Sequence, residues 1–505
     1  MSKKRIVIIG AGPGGLAAGM ILAKRGFSVT VVEKNQKLGG RTAELKLGDY
    51  SFDTGPTFLH QKFTLDETFA EVERDSSDYL DLVKLDPMTK LTWGDKSLET
   101  TYDQKVMADN IEKTFPGHAE GYQRFMADHS EKLRKIYPVL QKPYHKLSAF
   151  CRSELLKVFP YIATNDTVVD VLDRYFPDDN LKLAFTFQSK YLGMSPWKCP
   201  ALFTILSYTE YKYGIYHTTG GLCKIPEAMA QVFSEEGGDL RLGAPVDKVL
   251  FSGKTATGVR LVTGEEIHAD RVIMNADYAN AMSSIMNGFN RSPASLAEKK
   301  YSCSTFMLYL GLDTIYEDEP HHHIMFADNY KQNINEISGE QVVSDDMSIY
   351  IRNSSITDKT VAPEGHSQLY ILVPTINCRN GQDWESIKQE YRDKVLDRLE
   401  KRTSMKNLRS HIVEEAIYTP DTWRDSGIFM GATFNLAHTI DQMLYFRPHN
   451  KLKGFNNLYL VGGGTHPGSG LPTILESARI SSGLICNEEK IAMPKIDIAE
   501  KMLAI

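Results

Sequence analysis

The chain has 505 residues, with 58 Lys plus Arg against 64 Asp plus Glu, a net charge of −6 and a mean hydropathy of −0.31. That length allows two or three domains with substantial cores, and the mild acidity argues against nucleic acid as a partner, which would need a basic face. Absence of any apolar run near ~18 residues argues against a membrane-spanning helix and leaves a peripheral membrane role open.

Ser2-Lys3-Lys4-Arg5 before an apolar stretch has the outline of an export signal, but Gly10 to Gly15 break the stretch at once, so export is not expected. Residues 5–9 read as a buried parallel strand, 10–15 as a turn, 16–25 as a helix stopped at Gly26, and 28–32 as a second strand ending at Glu33. Strand, turn, helix, strand and acid in this order form a βαβ unit. Its turn is G-x-G-x-x-G at Gly10, Gly12 and Gly15. Gly10 makes the tight turn, Gly12 admits a pyrophosphate to the backbone, and Gly15 lets helix and strand pack closely. The helix N-terminus adds free N–H groups and a positive dipole end. Glu33 is placed to accept hydrogen bonds from a ribose. Pro13, Gly14 and Lys34, inside or beside these elements, join the candidate binding set.

Gly39-Gly40-Arg41-Thr42 and Gly55-Pro56-Thr57 follow, suited to a second approach to a long, extended cofactor. From about 66 to 213 charged and aromatic residues mix at helical spacing, which predicts a mostly helical insertion. Its segments 147–162 and 183–206 are apolar enough to be either a helical core or a membrane-facing surface. Glu210, among Tyr208, Tyr211 and Tyr213, either faces an active site or is an exposed helix acid. Strands are expected at 240–250, 258–262, 266–269, 270–275, 304–312, 347–352 and 368–374, and a helix at 384–402. His321, His322 and His323 alternate faces on a strand and do not converge on one ion, so no metal site is expected and a tunnel-lining or capping role is favoured. The six cysteines are scattered without C-x-x-C spacing, as in a reduced, cytosolic chain.

Near the C-terminus a strand at 457–461 runs into Gly462-Gly463-Gly464-Thr465-His466-Pro467-Gly468-Ser469-Gly470-Leu471-Pro472, and then a helix from Thr473. This is a second glycine-rich loop opening onto a helix N-terminus, with Pro472 at the first turn. Gly463, Gly464, Thr465, Leu471, Pro472, Thr473 and Ile474 are its candidate binding residues. In a flavoprotein such a loop can face the ring edge where negative charge develops on reduction. Two such loops match one extended cofactor with two charged regions and favour FAD over NAD. Arg447, with Pro448 and His449 just upstream, either supports this site or plays a structural part.

The motifs V-I-I-G-A-G-P-G-G-L-A-A at 7–18, L-G-G-R at 38–41, F-D-T-G-P-T at 52–57, H-H-x-I-x-F, F-R-P-H-N at 446–450 and the T-H-P-G-x-G loop span nearly the whole chain. With them the sequence resembles the bacterial and fungal-type carotenoid (phytoene-type) desaturases of the flavin amine-oxidase superfamily. The resemblance implies a mixed α/β fold, in which a discontinuous Rossmann-like FAD-binding domain interleaves with a substrate-binding domain. That second domain contains a β-sheet and an apolar helical region. FAD-binding segments are expected at 1–65, 214–285 and 441–505, a helical substrate or membrane-facing region at 66–213, and the substrate sheet at 286–440.

The resemblance also implies non-covalent FAD, a carotenoid substrate in an apolar tunnel, peripheral attachment to a membrane from the cytoplasm, and hydride transfer from an allylic carbon. A quinone or oxygen then takes the electrons. By the same pattern Val246 meets the adenine, and polar residues near the reacting carbons fall in the segment holding Arg152 and Glu154. That segment reads Phe150-Cys151-Arg152-Ser153-Glu154 and departs from the spacing of phytoene desaturases. The departure leans the reading toward 3,4-desaturation of a 1-hydroxycarotenoid, with phytoene desaturation as the alternative. A flavin amine oxidase and a non-enzymatic prenyl-binding escort protein are the rivals from other classes.

Overall fold

The computed structural model describes residues 3–162 and 164–504. The β-branched runs at Arg5–Ile9 and Ser28–Val32 pair in parallel, as their largely apolar pattern favours. They sit in a five-stranded parallel sheet of order Asp239–Arg241, Ser28–Val32, Arg5–Ile9, Arg271–Met274, Leu458–Leu460. Its strands come from both ends of the chain and from its middle, so the sheet closes only when distant segments meet. The Pro13–Lys24 and Leu471–Glu488 helices pack against it, and Ile8, Leu16, Ile21, Leu475 and Ala478 are buried between the layers. A three-stranded antiparallel meander, Val246–Ser252, Thr255–Leu261 and Glu266–His268, stands beside it.

The second sheet has seven strands, in the order Ile412–Tyr418, Ser304–Leu312, Ser367–Thr375, Ile349–Asn353, His322–Met325, Thr89–Trp93, Lys96–Thr100. Its second strand, Ser304–Leu312, is buried at every residue. The Trp384–Arg402 helix covers one face through Trp384, Tyr391, Val395 and Leu399.

The 66–213 region departs from the expected helical texture at two places, the first being the Leu82–Lys84 strand, which pairs with Ile215–Thr218. At the second, the Thr89–Trp93 and Lys96–Thr100 strands form a hairpin that joins the large sheet, where Thr89–Trp93 runs parallel to His322–Met325. Its signal was the alternation on either side of Gly94-Asp95, with Gly94 at φ +61° in the turn. The rest of the region is helical, led by Gln104–Thr114, Ala119–Leu140 and Thr204–Tyr213.

The run 183–206 is interior rather than membrane-facing, because Phe185, Phe187, Leu192, Leu202 and Ile205 are all buried. It is not one helix either. Gly193 in the left-handed region, Pro196 and Pro200 divide it into short turns. The exposed apolar side chains lie instead on the Ser153–Ile162 helix, where Leu156 is 62% and Phe159 58% exposed.

Candidate functional site

The two glycine-rich turns leave the carboxyl ends of parallel strands in one sheet, the place where such sheets hold ligands. Gly10, at φ +101°, donates its N–H to Val32 O at 2.7 Å. A Cβ on Gly15 would stand 2.1 Å from Gly10 O, so this glycine lets helix and strand touch. A Cβ on Gly14 would meet Val461 at 2.7 Å and Ile474 at 2.9 Å. Hence the N-terminal turns of the Pro13–Lys24 and Leu471–Glu488 helices lie side by side, with Leu471, Pro472, Thr473 and Ile474 opening the second. Thr473 Oγ1 donates within that turn and closes it.

Gly12 differs from its neighbours. The nearest atoms to a Cβ there are Asn275 Nδ2 at 3.3 Å and Gly39 O at 3.8 Å, so only the Asn275 side chain presses on this side. Gly40 faces it, its own Cβ position 3.6 Å from Gly12 Cα. Thr42 Oγ1 donates to Gly39 O at 2.7 Å and fixes that turn. Glu33 is buried, and its two carboxylate oxygens accept the N–H groups of Ala11 (2.9 Å) and Asn35 (3.0 Å). A carboxylate offers about four lone-pair sites, which leaves two for ribose hydroxyls. The Ala244 N–H donates to Glu33 O at 2.7 Å and brings the start of the Val246–Ser252 strand to the same corner. An extended dinucleotide fits these residues. Its pyrophosphate would lie beside Gly12, between two glycine turns and at paired helix N-termini.

Two residues serve the walls instead. Lys34 is exposed and donates to Ser426 O at 2.7 Å, placing its charge at the C-terminal end of the Pro420–Asp425 helix. Arg41 pairs with Asp277 at 2.9 Å, and the same Asp277 oxygen accepts from Asn435 Nδ2 at 2.9 Å. Asp277 and Asn275 were not among the expected residues. Asn275 Nδ2 donates to Gly10 O at 3.0 Å and braces the first turn. Their signal was the Asn-Ala-Asp that ends the Arg271–Met274 strand.

Arg447 is 1% exposed and braces the second loop. Its guanidinium donates to Gly463 O (2.6 Å), Thr465 O (3.0 Å), Leu436 O (3.2 Å) and Gln442 O (3.4 Å). Burial lowers its pKa to about 9, and four carbonyl dipoles hold the charge. The two ends of a trans peptide point opposite ways. Drawing Gly463 O toward Arg447 therefore turns the Gly464 N–H away from it, into the loop. Thr465 Oγ1 donates to Pro448 O, and Tyr144 packs edge-on against His466 at 5.1 Å. Arg152 lies over the Tyr144 ring at 5.7 Å and donates to Pro143 O at 3.0 Å. Glu154 pairs with the Ser153 hydroxyl near the surface.

Glu210 lies elsewhere: it is 1% exposed, 3.3 Å from His60 Nε2, and accepts from Gln188 Nε2 at 3.2 Å. Burial lowers the His60 pKa to about 4, so the ring is neutral at pH 7. Glu210 thus contacts His60 and Gln188, while Arg152 contacts Tyr144 and Pro143 and Glu154 contacts Ser153.

The Gly55-Pro56-Thr57 turn meets the large sheet. Tyr370 and Tyr309 donate to Gly55 O (2.7 Å) and Thr54 O (2.6 Å). Thr57 Oγ1 shares a 2.6 Å hydrogen bond with the Tyr350 hydroxyl, which lies 2.8 Å from His322 Nδ1. Arg352 pairs with Asp53 at 2.9 Å and donates to His217 Nδ1 at 3.2 Å. His217 is therefore neutral and donates its Nε2–H to Asp358 at 2.8 Å. Of the three consecutive histidines, His323 turns to Thr92 and Glu319, while His321 and His322 join this cluster. Among the described residues no group of three or more His, Cys, Asp or Glu could hold a metal ion.

A family model described as flavin containing amine oxidoreductase matches residues 13–486. A 4,4'-diapophytoene desaturase (4,4'-diapolycopene-forming) of a Methylomonas species is 46% identical over 497 residues, covering 98% of this chain and 97% of the relative. An all-trans-zeta-carotene desaturase of Myxococcus xanthus is 38% identical over 502 residues, covering 96% and 94%. Among solved structures, putrescine oxidase has a TM-score of 0.63 at 13% identity, covering 97% of this chain and 99% of that one, a likeness of fold alone.

Proposed function

Because the chain belongs to the flavin containing amine oxidoreductases, and within them to the carotenoid desaturases, we propose that its substrate is an acyclic polyene of the 4,4'-diapophytoene kind. It is an FAD-dependent oxidoreductase acting on CH–CH groups. Supporting the finer reading is the likeness over almost the full length to a desaturase of that substrate. Desaturation at the 3,4-position of a 1-hydroxycarotenoid, suggested by the segment around Arg152, is the second substrate reading.

Bound FAD supplies the two-electron oxidation, and a quinone or oxygen regenerates it. The chain supplies the rest. Gly12, Gly40 and the two helix N-termini hold the phosphates, Glu33 the ribose, and the corner before Val246 the adenine. Gly55, Pro56 and Thr57, with Gly463, Gly464 and Thr465, flank the flavin end. Residues 1–65, 214–285 and 441–505 act as the nucleotide unit. The observation that carries this reading is the adjacency of the two glycine-rich turns at Gly14, Val461 and Ile474. Hydride loss beside a polyene leaves a delocalised cation whose neighbouring C–H is acidic. Positioning therefore matters more than a strong base, and Arg152 acts by holding Tyr144 against His466.

Peripheral docking on a lipid surface is assigned to Leu156 and Phe159, with Phe446 (61% exposed) on a neighbouring turn. Met443, Leu444 and Tyr445 of that turn pack on the same core cluster as Leu155 and Val158.

The test is incubation of the purified flavoprotein with liposomal 4,4'-diapophytoene, phytoene, zeta-carotene and a 1-hydroxycarotenoid, read by product spectra. Red-shifted product from 4,4'-diapophytoene above the others is expected. A preference for the 1-hydroxycarotenoid moves the assignment to the second reading. Flavin reduction by putrescine with no polyene product overturns both.

A further inference from the structure

We propose that Tyr350, His322 and His321 form a proton exit from the Gly55-Pro56-Thr57 turn to the surface at Thr357. It rests on the desaturase reading. Each new double bond removes two hydrogens. One leaves with the electron pair of its C–H bond as hydride to bound FAD. The other leaves as a proton, and the pair of its C–H bond becomes the π bond. That proton appears in an apolar interior and needs a way to water.

The Tyr350 hydroxyl lies between Thr57 Oγ1 at 2.6 Å and His322 Nδ1 at 2.8 Å, so it can take a proton on one side while giving one on the other. The His322 and His321 rings are 4.4 Å apart between centroids. The Nε2 atoms of both are buried and have no hydrogen-bond partner among the described residues. A buried polar atom left unpaired needs an explanation, and two in adjacent rings mark a junction that ring rotation or one water would close. Beyond it, His321 Nδ1 lies 2.9 Å from the hydroxyl of Thr357, which is exposed. The chain of groups thus runs from a buried threonine to solvent.

Its surroundings define the route. His217 is 4.9 Å from His321, but both its nitrogens are committed, to Arg352 and Asp358, so it is a wall and not a link. His323 is bound to Thr92 and Glu319 and stands outside. Burial, with Arg352 among the neighbouring charges, pushes His321 and His322 well below the usual histidine range. A proton is therefore passed through and not stored as an imidazolium. The competing acceptor is the His60–Glu210 pair.

Two measurements decide the matter. In the first, Tyr350→Phe, His322→Gln and Glu210→Gln are purified with FAD, the flavin content is read by absorbance, and flavin reduction by liposomal 4,4'-diapophytoene is followed without oxygen. Normal flavin content with reduction slowed at least about tenfold in the first two variants is expected, the scale of a lost proton-transfer group. Rates within twofold of wild type in those two, or a tenfold loss only in Glu210→Gln, overturn the relay. In the second, full-length protein is labelled with 15N-histidine and its ring N–H signals are assigned with His321→Gln and His322→Gln. Saturation of water should reach both rings in wild type and fall at least about threefold in Thr357→Val. No transfer in wild type, or no change in Thr357→Val, overturns it. If wild type reduces no flavin with any polyene, the desaturase reading fails, and water transfer alone decides whether the path exists.

Discussion

Gly12 and Arg447 show how differently two residues serve one site. Gly12 is proposed to contribute by having no side chain, so that a phosphate can approach its backbone. A Cβ there would press Asn275 Nδ2 at 3.3 Å, and Gly12→Val should purify without flavin absorbance. Normal FAD content in that variant would refute the cofactor assignment. Arg447 contributes by filling space with charge. Arg447→Met strands four buried carbonyls, each unmade bond costing about 1–3 kcal/mol, and a loss of at least about 4 kcal/mol is expected. Denaturant unfolding of the apoprotein and the FAD content of the holoprotein both read it. The role of Gly12 was legible in the sequence because the G-x-G-x-x-G spacing carries its own mechanism. The partners of Arg447 were not, because backbone carbonyls leave no trace in residue identities.

Between elements, an ion cluster ties the Leu471–Glu488 helix to Lys62–Ala70. Arg479 binds Glu67 at 2.5 Å and Glu71 at 3.2 Å, and also Glu476 within its own helix. All three carboxylates are buried. Arg479→Met leaves them uncompensated, and a loss of about 3–5 kcal/mol is expected. Burial raises the pKa of Glu67 and Glu71 even with the arginine present, and its removal raises them further. The folded variant then binds more protons than the unfolded chain, so its deficit grows as pH rises from 4 to 7. Melting curves across that range test this, and a deficit independent of pH argues against it.

On the Ser153–Ile162 helix, Leu156→Asp with Phe159→Asp should abolish co-sedimentation with liposomes. Activity on liposomal substrate should fall while the melting temperature stays within about 2 °C, since both side chains are exposed. Which apolar stretch faces outward was decided by packing, because 183–206 and 147–162 are both rich in apolar residues.

Across the whole molecule, several histidines are buried in the neutral form. Burial lowers His60 to about 4, and His129 and His466 to about 3. A histidine whose folded pKa lies below its unfolded value of about 6.5 must be charged by unfolding in acid. Its contribution to stability is whole above that pH and is lost as pH falls toward the folded value. Each such group gives up to about 1.4 kcal/mol per pH unit. The melting temperature should therefore drop between pH 6.5 and 4, and His129→Gln should flatten that drop. An unchanged slope would show that His129 is not buried neutral.

Local chemistry was legible in the residues alone: the βαβ turn, both glycine loops, the buried strand Ser304–Leu312 and the Trp384–Arg402 helix. Each is coded by spacing within a few residues, where backbone geometry leaves few choices. Tertiary structure alone decided what distant segments make together. It set two glycine turns side by side and sent the Thr89–Trp93 and Lys96–Thr100 hairpin into the large sheet. It also braced the site with Asn275, Asp277 and Arg447, and set His60 beside Glu210. These are pairings over tens to hundreds of residues, set by which buried faces and unpaired polar groups can satisfy one another once the core closes.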